Sequence, residues 1–511
     1  MIAEKFLELD SKRQGLLRRA RECAKLTIPS VLPPEGYTEN DVLPTPYQSI
    51  GAQGVNQLVS KLLMVLAPAN VPFFKLSISP TILKALNMSS EETSEILTLI
   101  EKRIVTYLDE LNLREALAAA LRDLIVTGNA LLYFGRENIK TYRLNNFVVQ
   151  RDAAGNVIRI ITREGLSWES LPEELKQALK RNKDFDINEP SEYYQNQGVT
   201  LWTMAEWTGK DWRVTQEVDK YRVKQVTFQK KNFPFIVLRW SQIPGEDYGR
   251  GLIEQYLGDL KTLEALYEAL VTGALQSARV IWLVRPTSVL TPKDIQDAWN
   301  GEVKVGNPED VGAVQLQKYA DFQWIYNLAA QLEQRLAQVF FLIPSSIRNA
   351  ERVTAEEVRL VSQELETGLG GVYTLLTNEL QRPMLYLILN RLAEKGEMLD
   401  IDKFKDILEV KIITGFAGLG RTEDFNRLLM FSQSVVGLPN AATYLNTEKV
   451  MKQMAISLGV DPNIVRSDQE VQALMMQQMQ QQAIPQLLAQ AMSQQQMMGG
   501  AENAPQETEN A

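Results

Sequence analysis

The sequence predicts a mainly α protein with an α+β portion, organised in several regions around a helical hairpin, and three observations predict it. First, apolar residues step by three and four through Ile253, Tyr256, Leu260, Leu263, Tyr267, Leu270 and Ala274, and again through Phe322, Ile325, Leu328, Leu332, Leu336, Val339 and Phe340. Each series is the stripe of a long helix that needs a partner. Second, between Leu131 and Trp240 the pattern shifts to short β-branched and aromatic runs, the mark of strands. Third, 511 residues at 45% hydrophobic and 23% charged suffice for a large core split into subdomains.

Taken in order, residues 3–26 read as a charged amphipathic helix, in which Lys12, Arg13, Arg18, Arg19 and Arg21 are interleaved with Glu4, Glu8, Asp10 and Glu22. That mixture marks a solvated face rather than a nucleic-acid arm. Pro29, Pro33, Pro34, Pro44 and Pro46 then impose a loop, because proline lacks the donor that helices and central strands require. Helical spacing resumes at 48–66 and at 91–126. In the strand region, Asp152–Asn156 and Thr208–Asp211 are hairpin turns joining alternating runs. Between the two striped helices lies a compact insert, with strand-like pieces at 280–284, 302–305 and 313–316 and a short helix opened by Thr291-Pro292. Helix, insert and returning helix make a hairpin with a knob at its tip.

A third helix is expected from Thr354, where Thr354-Ala355-Glu356-Glu357 forms a capping box, to about Arg391. Pro383 should kink it, while Gly368, Gly370 and Gly371 weaken it or permit close backbone approach. Further helical segments follow at 422–435 and 446–458. The Gln- and Met-rich stretch 471–501 carries no charge and reads either as a disordered tail or as a weak helix that orders only against neighbouring copies, with disorder expected beyond Met498.

The composition excludes whole classes of chemistry. With no His and a single Cys, no Ser-His-Asp or Cys-His arrangement, His-ligated zinc site or intramolecular disulfide can be built. Cys23, inside a helical run, is a small apolar residue without a function of its own. No G-x-x-x-x-G-K-[ST] occurs, so the chain is not a P-loop motor, and Gly415–Gly420 lacks the G-x-G-x-x-G order. Glu356, Glu357, Glu364 and Glu366 read as a solvated helix surface rather than a magnesium site. No cofactor and no metal are expected. Net charge −9 argues against a broad basic grip on nucleic acid. No signal peptide or apolar run of membrane-spanning length is present, so the chain is expected to stay in the cytoplasm of its producing cell and to bind no membrane.

Between the second and third long helices, Pro344, Ser345, Ser346 and Asn349 break helical continuity and leave a loop carrying Arg348 and Arg352. What such a loop does depends on what it faces. On these residues alone, a helical adaptor or scaffold protein without a channel remains open beside any pore-forming reading.

Several blocks in fixed order then carry a resemblance: Val148-Val149-Gln150-Arg151-Asp152 with Gly155-Asn156-Val157; Tyr248-Gly249-Arg250 with Glu254 and Tyr256-Leu257-Gly258-Asp259-Leu260; Glu351 to Glu357; and Leu369-Gly370-Gly371-Val372-Tyr373. The chain resembles the portal proteins, or head-to-tail connectors, of short-tailed podoviruses of the autographivirus type. The likeness runs from Thr45 to about Gly459, with residues 1–40 matching weakly. The resemblance implies a structural, non-enzymatic protein that forms a dodecameric ring at one capsid vertex, through which double-stranded DNA is packaged and ejected. It implies a wing at 1–249 and 354–419, stem helices at 250–279 and 321–341, a clip at 280–320, a tunnel loop at 342–353 and a crown at 420–498, with 499–511 a disordered tail. Implied partners are other copies of itself, the terminase, tail adaptor, major capsid and internal core or scaffold proteins. Ser346, Arg348, Asn349 and Arg352 would then face the DNA, and Ile253, Tyr256, Leu260, Leu263, Tyr267, Leu332 and Leu336 would supply stem packing, including packing between neighbouring copies.

Overall fold

A computed structural model describes residues 1–68, 72–78, 90–180, 198–278, 281–314, 319–342, 364–365, 367–396, 408–412, 428–435, 446–458, 464–467, 470–474 and 476. The chain divides into two compact units, Met1–Phe416 and Ala417–Ala511.

The first unit opens with α1 (Ile2–Lys12) and α2 (Gln14–Lys25), two helices where the sequence predicts one. The break falls at Arg13, whose backbone leaves helical geometry at φ −107° and ψ 12°. This arginine is buried rather than solvated: it pairs with Asp10 at 2.7 Å and lies over the Tyr248 ring. The Pro-rich loop leads to α3 (Ile50–Leu66), strand β1 (Phe74–Ile78), α4 (Ser90–Glu110) and α5 (Leu113–Thr127). The predicted helix at 91–126 is thus also two, separated where Asn112 turns left-handed at φ 53°, a conformation asparagine tolerates better than most residues.

Next come β2 (Asn129–Phe134), β3 (Ile139–Tyr142), β4 (Phe147–Arg151), β5 (Val157–Leu166), α6 (Glu173–Lys180), β6 (Val199–Trp207), β7 (Asp211–Val218), β8 (Tyr221–Gln229) and β9 (Phe235–Arg239). They form two antiparallel sheets, one in the order β3-β2-β9 and one a meander from β4 to β8. Both predicted hairpin turns are present: Asp152 caps the first, accepting from the Asn156 amide and side chain, and the Thr208 hydroxyl closes the second. The sheets are joined by aromatics, with Trp212 of the meander stacked on Phe233 at 4.1 Å and Phe233 tilted against Phe235 of β9. Stacked rings of this kind bury large area at low entropic cost.

Helices α7 (Leu252–Gln255) and α8 (Leu257–Ser277) follow. Beyond them lie β10 (Ile281–Val284), α9 (Pro292–Gln296), β11 (Val311–Val314) and α10 (Tyr319–Val339). The insert between α8 and α10 holds a two-stranded antiparallel ribbon, β10 with β11, and the capped helix α9, whose Thr291 and Asp294 bond reciprocally. The strand expected at 302–305 is not one. Val303 and Val305 are almost fully exposed, and without an apolar surface to cover them their β-branched chemistry alone does not make a strand.

Past the hairpin, α11 (Gly371–Leu376), a π-helical turn (Thr377–Gln381) and α12 (Arg382–Glu394) occupy the C-terminal half of the predicted third helix. The interruption lies at Gly370, φ 34°, and in the π turn directly before Pro383, which absorbs the missing donor of that proline. Strand β12 (Leu408–Ile412) pairs with β1. In the second unit, residues 428–435 and α13 (Thr447–Leu458) are helical. The Thr354 capping box, Gly415–Gly420, most of the Gln- and Met-rich stretch and residues 499–511 lie outside the described residues.

On α5, Asp123 is 8% exposed, and burial pushes its carboxyl up to about 8, against the opposing charges of Arg143 and Arg122. An unfolded aspartate titrates near 3.9. Between about pH 4 and pH 8 the folded chain therefore holds a proton that the unfolded chain has lost, and stability falls as pH rises through that window. Thermal unfolding of Asp123→Asn against pH should show a shallower decline than the parent, with the variant the more stable of the two near pH 8; parallel curves would refute the assignment.

Candidate functional site

The hairpin is positioned by a buried junction at its base. The side chain of Asn129 donates through Nδ2 to the Gly249 carbonyl at 2.9 Å, and its Oδ1 accepts from the Gly249 amide at 2.8 Å. One amide side chain thus supplies both the donor and the acceptor that a backbone partner would. Beside it, Gly128 closes α5 at φ 81°, and its carbonyl accepts from the Trp240 amide. The chain from 249 to 251 passes so close that a Cβ at Gly251 would stand 2.7 Å from the Ile125 carbonyl. The Tyr248-Gly249-Arg250-Gly251 block is therefore what the end of β9 and the end of α5 both grip.

From this junction the first helix of the hairpin leaves in two pieces, since Tyr256 departs from helical geometry at φ −112° and ψ 16°. Ion pairs tie its root to α2, with Arg19 Nε 3.0 Å from Glu254 and Lys261 Nζ 2.7 Å from Glu22. Glu264 accepts from the amides of Tyr47 and Gln48, fixing the end of the Pro-rich loop to α8. The Glu22 carboxyl is held below its usual range, chiefly by the hydrogen bond from Lys261.

The returning helix packs on the first within the same chain. Ile253, Leu260, Leu263 and Leu336 are completely buried, Leu332 nearly so, and Tyr256 and Tyr267 pack against the same core. Toward the tip, the Phe322 ring fills the space a side chain at Gly273 would need, while nearer the base Arg335 pairs with Asp259 at 2.6 Å. Burial and a hydrogen bond to Glu333 push the Tyr267 hydroxyl up to about 12. The residues singled out for stem packing thus meet inside one protomer. Toward the tip, Val271, Leu275, Trp324 and Tyr326 are all exposed.

The base of the returning helix holds what sequence reasoning missed. Phe340 is buried against Gly54 of α3, and the Phe341 ring lies against Gly368, the close approach expected of that glycine. Lys61 of α3 is 2% exposed and bonds Glu364 at 3.0 Å, so Glu364 does not belong to a purely solvated face. Arg239 holds Glu379 in the π turn through its amide, Nε and Nη2, and Gln381 donates to the Leu66 carbonyl. The signal for Lys61 was a single ammonium within the apolar series Val55, Leu58, Leu62 and Val65. Ser346, Arg348, Asn349 and Arg352 lie outside the described residues.

Little here suits bond-making chemistry. Burial pushes the Cys23 thiol up to about 12, which suppresses the thiolate a nucleophile needs. Among the described residues no group of three or more acidic or cysteine side chains is placed to hold a metal ion, and no helix is long and apolar enough to cross a membrane.

Comparison with known proteins gives a consistent outcome. The family described as bacteriophage head to tail connecting protein matches residues 1–465. The portal protein of Enterobacteria phage T3 is 35% identical over 485 residues, which cover 92% of this chain and 89% of that relative. The portal protein of Escherichia phage T7 is 33% identical over 493 residues, 93% and 90% of the two chains. That of Enterobacteria phage SP6 is 29% identical over 488 residues, 93% and 91%.

Because Leu263 is completely buried in the core where α8 meets α10, Leu263→Asp should cost the protomer about 3–5 kcal/mol. Chemical denaturation should show this before any assembly step; an unchanged midpoint would mean that the hairpin interior is not what the structure describes.

Proposed function

The chain belongs to the portal, or head-to-tail connecting, family of short-tailed phages of the autographivirus type, and on that premise we propose that twelve copies form a ring whose channel passes the genomic duplex during packaging and ejection. The observation that carries the reading is the division of labour in the hairpin. Its inner face is satisfied within one chain, while Val271, Leu275, Trp324 and Tyr326, toward its tip, remain exposed. Large apolar side chains left exposed on a projecting element suit a neighbour, and an identical neighbour placed by rotation closes into a ring. On this reading α7, α8 and α10 are the stem, and the insert with β10, α9 and β11 is the clip. The clip would dock the terminase during packaging and the tail adaptor afterwards. The wing would meet the major capsid protein, and a crown formed after residue 420 would face internal core or scaffold proteins. The protein would act in the virion at the head-tail junction after assembly in the host cytoplasm, and would catalyse nothing.

Charge supports passage rather than grip. At −9 per copy, a twelvefold ring carries a formal charge of about −108, so phosphates are repelled from most of its surface. Against that background, Arg348 and Arg352 would place rings of positive charge at the constriction, with Asn349 and Ser346 beside them. Such contacts are salt-labile and indifferent to sequence.

Negative-stain imaging of the purified protein should show rings with a central aperture wide enough for a duplex; a compact monomer under all assembly conditions would refute the channel and favour a non-channel adaptor. Arg348→Ala with Arg352→Ala should leave ring formation intact and increase DNA loss from filled heads. Retention equal to the parent would remove these arginines from the constriction.

A further inference from the structure

We infer that Lys61 is a positioning residue that holds both ends of the chain segment between the returning stem helix and the C-terminal wing helices. This rests on the portal reading only insofar as that segment is the channel constriction; the joint itself is built from residues outside it.

A lysine buried to 2% exposure in the apolar stripe of a helix is rare and requires a partner. Lys61 has one on each side of the segment. Its Nζ bonds Glu364 Oε2 at 3.0 Å across 303 positions of sequence, and the same nitrogen stands 5.6 Å from the centre of the Phe341 ring, within reach of a cation–π attraction. Phe341 is followed by one more described residue, Leu342, before the segment begins, and Glu364 is the first described residue after it. One ammonium therefore touches the chain where it leaves the stem and where it re-enters the wing.

The surroundings are shaped around this contact. Phe340 sits where a side chain at Gly54 would stand, 2.3 Å from the built Cβ position, and the Phe341 ring occupies the corresponding space at Gly368. Leu342 donates its amide to the Ala337 carbonyl at 2.8 Å, ending the helix. Phe341 itself is left-handed at φ 55°, a conformation that a bulky side chain keeps only where its environment enforces it. Filling the stripe does not require a charge, because a methionine of similar length would do so. Nor does Glu364 need burial relief, since its side chain is 37% exposed. The ammonium adds direction: a bond to one end and a ring contact to the other, both lost in a neutral replacement of the same shape.

The test is tryptic cleavage at Arg348 and Arg352, followed by peptide mapping on assembled full-length protein. Cleavage of this kind tracks the population of chains in which the joint is released. Lys61→Met and Glu364→Gln should each accelerate it by about tenfold or more, the effect of losing a charge-assisted hydrogen bond. The exchanged pair Lys61→Glu with Glu364→Lys should return the rate toward the parent, which a purely space-filling role for Lys61 does not predict. Parent-like rates in both single variants would overturn the inference. Glu364→Gln, at a partly exposed site, decides the question should Lys61→Met fail to fold. DNA retention in filled heads is read in parallel. Faster cleavage with unchanged retention would keep the joint and reject the segment as the constriction, whereas unchanged cleavage in intact rings would reject the joint and leave the channel reading standing.

Discussion

The whole arrangement depends on the pair of hydrogen bonds by which Asn129 grips Gly249. This side chain, at the start of β2, joins the end of α5, the central strand of the three-stranded sheet and the root of the hairpin. Both of its polar atoms are satisfied by the same residue, Gly249, and Nδ2 also donates to the Thr127 carbonyl, so the buried amide carries no unmet donor or acceptor. Because the glycines around it allow backbone to meet backbone, the direction in which the hairpin leaves the body is set by packing contacts of under 3 Å to any added Cβ. The angle at which the hairpin leaves the body is thereby defined at this junction.

Charge does a second kind of work in the same region. The ion pairs at the stem root, Arg19 with Glu254, Lys261 with Glu22 and Arg335 with Asp259, are largely exposed, and each contributes little alone. Arg239 with Glu379 is different. It is 5% and 17% exposed, with three donors converging on one carboxylate. Breaking such a pair leaves a stranded charge and costs about 3–5 kcal/mol. It pins the π turn against β9, so α11 and α12 cannot slide along the sheet. The hairpin is thus braced at its base by many weak contacts, and the helices behind it by a stronger one.

Much of this was legible in the residues. The steps of three and four from Ile253 and from Phe322 gave two helices that do run out and back, and the turn chemistry at Asp152–Asn156 and Thr208–Asp211 gave two hairpins at those positions. Breaks were harder to read. Arg13, Asn112 and Tyr256 interrupt helices whose periodicity continues on either side, because a single residue outside helical geometry leaves the apolar spacing almost unchanged. The strand assigned to Val303 and Val305 failed for the converse reason: alternation describes a face, and in the protomer that face has nothing to cover it.

By itself the sequence determined the class of elements, the absence of histidine- and disulfide-based chemistry, the acidic surface and the family, since each follows from residue type, spacing or ordered blocks of identity. Only the tertiary structure decided which apolar residues are consumed inside the protomer, where Leu260, Leu263 and Leu336 meet, and which stay exposed, as Leu275 and Trp324 do. It alone paired Lys61 with Glu364 and Arg239 with Glu379. Helical periodicity says that a stripe will be buried but not against what, and an ion pair joining positions more than a hundred residues apart leaves no local trace in either one.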